Sequence, residues 1–178
     1  MELHAWKVPR GELRQLTDRP AGTLFGFISA DGRHVYYLDD ESGNEAGHLV
    51  RVPWEGGAPE DVTPTFPPYS SLGGATSRAS NLFAFTTIDA DGYGLVAVDL
   101  DATGGLGEPR LLHRDKRLFT PPVVSPTGEV VVVASTERTR RRGCRSVVRR
   151  HPSAAGDRHR PGERTTDADT AAGGRDAG

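Results

Sequence analysis

Ser29-Ala30-Asp31-Gly32-Arg33-His34-Val35-Tyr36-Tyr37 decides the fold, because its pattern of a turn feeding an apolar strand returns twice further along the chain. The second occurrence is Ser77-Arg78-Ala79-Ser80-Asn81-Leu82-Phe83-Ala84-Phe85, and the third is Ser125-Pro126-Thr127-Gly128-Glu129-Val130-Val131-Val132-Val133. Ser29, Ser77 and Ser125 stand 48 residues apart each time, and so do Val35, Phe83 and Val131, and Tyr37, Phe85 and Val133. A fixed period of this length marks a repeat architecture, in which each unit buries its apolar face on its neighbours.

A second element recurs between these landmarks. Ala5-Trp6-Lys7-Val8 leads to Leu16, Leu49-Val50-Arg51-Val52 to Val62, and Leu95-Val96-Ala97-Val98 to Leu112. Intervals of 44 and 46 residues separate the valines, so length varies only in the loops, where insertions are tolerated. Each period then reads as four short strands. In the first complete unit these fall at about Leu24 to Ser29, His34 to Asp39, His48 to Pro53 and Glu60 to Thr63. Asp31-Gly32, Gly43-Asn44 and Glu55-Gly56-Gly57 supply the turns between them. No segment shows the 3.6-residue apolar period of a helical solenoid, and an antiparallel sandwich has no reason to hold one register twice over. Four strands per 40 to 50 residues is what a β-propeller blade requires. The expectation is an all-β, incomplete β-propeller: a half blade, two full blades and the opening half of another, about two to three four-stranded blades in all.

Composition divides the chain near Arg138. Before that point 11 basic residues face 19 acidic ones; from it onward 11 arginines face 5 acids. The second stretch has no Leu, Ile, Phe, Met, Tyr or Trp, so it cannot offset the roughly 1 to 2 kcal/mol of backbone entropy lost per ordered residue. Residues 1–137 are therefore expected to form the partial propeller, and residues 138–178 a disordered Arg/Gly/Ala-rich tail. The switch in amino-acid usage also fits translation out of frame; a neighbouring frame encoding further blades would establish that, and relatives carrying the same tail would refute it. The amino terminus has neither the basic start nor the apolar run of a secretory signal, and no window reaches the roughly 18 apolar residues of a membrane span, which gives a cytoplasmic expectation. Cys144 is the sole cysteine, so no intrachain disulfide and no cysteine-cluster metal site can form.

The chain resembles the amino-terminal propeller of the prolyl oligopeptidase family of serine peptidases, particularly acylaminoacyl-peptidase-like members, and more loosely TolB-like propellers. Carrying the likeness are Leu13-Arg14-Gln15-Leu16-Thr17 entering a blade, Ser29-Ala30-Asp31-Gly32 and Ser125-Pro126-Thr127-Gly128 as forms of the family's Ser-Pro-Asp-Gly turn, and Asp40-Glu41-Ser42-Gly43-Asn44-Glu45 before His48-Leu49-Val50-Arg51-Val52. It spans about residues 3 to 137. The resemblance implies a lid that gates peptide access to an α/β-hydrolase domain, with peptides or that domain as partners. That hydrolase is marked by a strained G-x-S-x-G elbow. No serine of this sequence satisfies it: Ser71 has Gly73 behind it but Tyr69 where the first glycine belongs. The expectation is a non-catalytic chain with no catalytic, cofactor-binding or metal-binding residues and no cofactor. The alternative is a stand-alone TolB-like propeller acting as a protein-binding scaffold.

Other chemistry-bearing groups have structural readings. Asp39-Asp40-Glu41 and Asp89-Ala90-Asp91-Gly92 read as hairpin turns, since a calcium loop ends in a bidentate Glu and Asp89 to Asp101 contains none. His4, His34, His48 and His113 are scattered over strand positions and read as surface or edge residues rather than bases or ligands. The run Arg138 to Arg150 could neutralise phosphates, yet the body is acidic and the tail has no aromatic residue to stack a base, so no nucleic-acid partner is expected. Phe25, Phe27, Tyr36, Tyr37, Phe83 and Phe85 read as packing between blades rather than as a ligand platform. A propeller enzyme of the lactonase or glycosidase kind would need residues converging from more blades than these. So few blades leave sheet faces uncovered, which points to self-association or to a larger parent protein.

Overall fold

The structure, a computed structural model, describes residues 1–40 and 43–136 and the backbone of the strand at Arg145–Arg150. Among these residues β1 (His4–Lys7) and β2 (Glu12–Gln15) form a hairpin. Next come β3 (Gly26–Ile28), β4 (His34–Asp40), β5 (Gly47–Pro53) and β6 (Glu60–Asp61), and then β7 (Gly74–Thr76), β8 (Leu82–Asp89), β9 (Gly92–Asp99) and β10 (Arg110–Asp115). Each set of four is one antiparallel sheet whose spatial order follows the chain. The last sheet holds β11 (Val123–Val124), β12 (Val130–Ser135) and β13 (Arg145–Arg150). The strands of the first complete unit lie where the repeat places them, and the architecture is an all-β, partial β-propeller.

The repeated serine earns its 48-residue spacing in the turn between the first two strands of each sheet. Ser29 N–H donates to the His34 carbonyl at 2.8 Å while its hydroxyl accepts the His34 N–H at 3.0 Å. Ser125 makes the same two bonds with Val130, at 2.9 and 3.1 Å. Both turns need a residue in the left-handed region, supplied by Gly32 at φ 71° and Gly128 at φ 73°. The middle copy has no glycine there; Asn81 takes φ 51° one position later, a conformation asparagine tolerates. In this copy the buried Ser77 Oγ donates instead to the Pro126 carbonyl of the next sheet, at 2.7 Å.

Packing follows from the period of two. Along β4, β8 and β12 alternate residues face the preceding and the following module. Tyr36 and Leu49 face forward and meet Phe83, Phe85, Val96 and Val98, forming one core with Val62 and Tyr69. Leu82, Ala84, Leu95 and Ala97 face forward from the next sheet and meet Phe119, Val131 and Val133. Backward from the first sheet, Tyr37, Val50 and Val52 pack on Leu3 and Leu16 of the hairpin. Tyr36 lies flat on Phe83, ring centroids 4.2 Å apart, and Phe83 stacks in turn on Phe85 at 5.1 Å. The aromatic residues thus fill the space between modules, Phe25 and Phe27 being half-buried.

The backbone of Arg145–Arg150 pairs antiparallel with β12 along its whole length, where the edge of β12 offers a ready row of backbone partners. Residues 137–144 and 151–178, with the domain boundary and Cys144, lie outside the described residues, as does Glu41.

Candidate functional site

Among the described residues a polar cluster at the rim of the first sheet and an apolar groove beside the amino-terminal hairpin stand out as candidate sites. The cluster begins at β5 and β6, where Asp61 stands opposite Val50 and His48 reaches it diagonally across the pair of strands. His48 Nδ1 and Asp61 Oδ2 are 2.7 Å apart, while Asp61 Oδ1 accepts the Thr63 N–H at 2.7 Å. Thr63 Oγ1 lies 2.8 Å from the Tyr69 hydroxyl, which accepts the Leu49 N–H at 3.0 Å. The His48 ring stacks over Tyr69 at 5.9 Å, and burial pushes the Tyr69 phenol well above its usual range. A His-Asp pair aligned in this way could serve a nucleophile, but here the next hydroxyl belongs to Thr63 and points into the buried tyrosine. The cluster therefore clasps the Thr63–Tyr69 connection to the sheet.

The remaining sequence candidates resolve similarly. Asp39 and Asp40 share the guanidinium of Arg19, at 2.8 and 3.2 Å, and Asp40 also accepts the Glu45 N–H at 2.9 Å, so this acidic pair anchors a turn. Asp89 receives both terminal nitrogens of Arg114, at 2.6 and 3.0 Å, and its carboxyl is held below the ordinary range chiefly by that hydrogen bond. Asp91 N–H donates to Asp89 Oδ1 at 2.8 Å, completing the hairpin turn read from the sequence. Among the described residues no three His, Cys, Asp or Glu side chains converge as metal ligands.

Of the four strand histidines, His4 is exposed and His34, His48 and His113 are half-buried. Burial, with Arg51 nearby, lowers the pKa of His34. His113 packs 5.3 Å from the Phe119 ring, its Nε2 buried without a hydrogen-bond partner.

The groove was not foreseen. It encloses about 630 Å³ between β1 and the first sheet, and its walls include Trp6, Lys7, Phe27, Ile28, Val35 and Trp54. The Lys7 ammonium and the Arg14 guanidinium both sit 5.6 Å from the Trp54 ring, a cation-aromatic contact that fixes the indole at one end. Trp6 and Trp54 stand 48 residues apart, but they occupy different places in their repeats, so the period alone does not bring them together. Arg51, one repeat after Lys7, instead donates to the Gly104 carbonyl of the next sheet at 2.5 Å. No helix among the described residues is long and apolar enough to cross a membrane.

No protein-family model matches this sequence, and no curated protein matches it. Solved structures do. The chain superposes on TolB from Acinetobacter baumannii with a TM-score of 0.57 at 17% identity, covering 83% of this chain and 34% of TolB. It superposes on the tricorn protease with a TM-score of 0.51 at 12% identity, covering 75% of this chain and 13% of that protein. The chain thus spans about a third of TolB's length and less of the protease. At these identities the likeness is one of fold, and the fold it shares is the β-propeller.

Proposed function

We propose that this chain is the non-catalytic propeller portion, a lid that gates peptide access, of a serine peptidase of prolyl-oligopeptidase type. The observation that carries the reading is how the repeat spends its polar residues. Ser29 and Ser125 hold the turns of their own sheets, Ser77 ties one sheet to the next, and the His48-Asp61 pair ends on Thr63 and Tyr69. Supporting it are the family's turn forms at Ser29-Ala30-Asp31-Gly32 and Ser125-Pro126-Thr127-Gly128, and a peptidase, the tricorn protease, among the structural neighbours. The serine elbow is absent from these 178 residues. Incubating the purified chain with amino-acyl and peptidyl chromogenic substrates should release chromophore only at the background rate. Turnover abolished by a serine-directed phosphonate would refute the reading.

A second reading, a TolB-like scaffold that recruits a protein partner, is favoured by the higher structural similarity to TolB. Stoichiometric capture of one defined protein by the isolated chain, with no peptidase domain present, would move the balance to it.

A further inference from the structure

The loop between β9 and β10 reaches back across the joint and is gripped by the preceding sheet. Asp101-Ala102-Thr103-Gly104-Gly105 first folds on itself: Asp101 Oδ1 accepts the Thr103 and Gly105 N–H groups at 2.7 and 2.8 Å, and the Gly104 N–H donates to the Asp101 carbonyl at 3.0 Å. Gly104, at φ 88°, is buried while Ala102 and Thr103 are exposed. Its carbonyl accepts a hydrogen bond from the Arg51 guanidinium of β5 at 2.5 Å. Arg51 is itself only 4% exposed, and Glu60, which stands opposite it on β6, holds the same guanidinium at 2.6 and 2.7 Å. One cation therefore ties two strands of the first sheet to the loop of the second.

His34 stands beside this clasp. A β-carbon placed on Gly104 would lie 4.0 Å from His34 Cε1 and 3.9 Å from Asp31 Oδ2, so the ring and the carboxylate flank the residue that Arg51 grips. Charges of both signs surround the ring. Arg51 on β5 and Arg33 in the adjoining turn disfavour its protonation, while Asp31 in that turn and Glu60 on β6 favour it. Asp31, Arg33 and Glu60 are exposed, where water and salt screen them, whereas Arg51 is buried. Asp31 is also engaged by the Ser29 hydroxyl at 2.6 Å and the Arg33 N–H at 3.0 Å. Asp101, the one charged side chain of the loop, is exposed and bonded to its own backbone. Burial and Arg51 prevail, and the His34 pKa is lowered.

We propose that His34 makes the joint between the two four-stranded sheets sensitive to acid, an imidazolium there loosening the hold of Arg51 on Gly104 and releasing the Asp101–Gly105 loop. A proton on His34 sets a second positive charge near the guanidinium in a half-buried site, where the charged form of the ring is poorly solvated. Withdrawal of the loop relieves both the burial and the repulsion. Arg51 keeps its bonds to Glu60 when the loop leaves, so the first sheet stays intact.

By linkage, a ring that titrates lower with the loop docked than with the loop withdrawn opposes docking once it is protonated. Docking is therefore unopposed above the ordinary imidazole value of about 6.5 and weakens as the pH falls below it. Every group concerned lies within the two four-stranded sheets or in the turns that join their strands.

A nitroxide attached at Ala102→Cys of the full chain, in a Cys144→Ser background, reports the loop by electron spin resonance. Its mobile fraction should rise about threefold or more between about pH 7.5 and about pH 5.5, the range in which histidine changes charge. His34→Gln, neutral throughout, should abolish that rise and isolates this ring from the other histidines, whereas Arg51→Met should free the label at both pH values. Strand circular dichroism followed over the same range should stay constant. A mobile fraction that does not change with pH, a rise that persists in His34→Gln, a label still held in Arg51→Met, or strand signal lost in step with the label would each overturn the inference. No substrate enters these assays, so the peptidase reading stands or falls apart from them.

Discussion

The joint between the two four-stranded sheets and the joint between the hairpin and the first sheet use the same register but differ in depth. In the first, Phe83 and Phe85 of β8 lie wholly buried against Tyr36, Tyr69 and Leu49, ring on ring. In the second, three buried residues of the first sheet meet only the half-buried Leu3, Leu16 and Val35, and an open groove remains beside them. One arrangement is closed from both sides, the other from one. A repeat protein gains stability from each interface rather than from a common centre, so the middle joint should dominate.

The sharpest test of that difference is Phe83→Ala. Emptying a fully buried aromatic position costs about 3 to 5 kcal/mol, a large share of any small domain's stability, and urea denaturation should show the midpoint collapse or the chain unfolded at rest. An effect below about 1 kcal/mol would mean that the two sheets are not stacked as described. Tyr69→Phe probes the same joint more gently. It leaves the Leu49 N–H and the Thr63 hydroxyl without their buried partner, for about 1 to 3 kcal/mol, again read from urea curves. Tyr36, whose hydroxyl burial pushes up to about 12, lies on the face of Phe83 and should remain neutral throughout these titrations.

Much of this architecture was legible from spacing. The 48-residue interval records a hydrogen-bonded turn, Ser29 to His34 and Ser125 to Val130, that any copy must reproduce for its second strand to start in phase. The strand faces followed, because Val35, Phe83 and Val131 sit at one parity. The groove was not legible, since it depends on how the hairpin leans on the first sheet and on Lys7 and Arg14 reaching Trp54 from different strands. Nor was the partial burial of His113, which depends on the Phe119 ring of the following module.

Electrostatic clasps should matter less than the core. The Asp89 carboxyl is lowered by Arg114, so its contribution is complete above the ordinary carboxylate pKa of about 3.9 and is lost as the pH falls through the lower folded value. Arg114→Met should therefore reduce the melting temperature at neutral pH, with the gap to the parent chain narrowing on acidification below about pH 4. A gap that widens in acid would assign the stabilisation to another group.

The smallest effect belongs to the open joint. Trp6 is exposed, so Trp6→Ala should shift stability by no more than about 0.5 kcal/mol, despite removing the largest side chain of β1. The same size of side chain removed at Phe83 should cost several times more, because there the ring is enclosed by two sheets. A loss above about 1 kcal/mol at Trp6, read from urea midpoints, would mean that the indole is packed on the first sheet and that the second joint is as closed as the first.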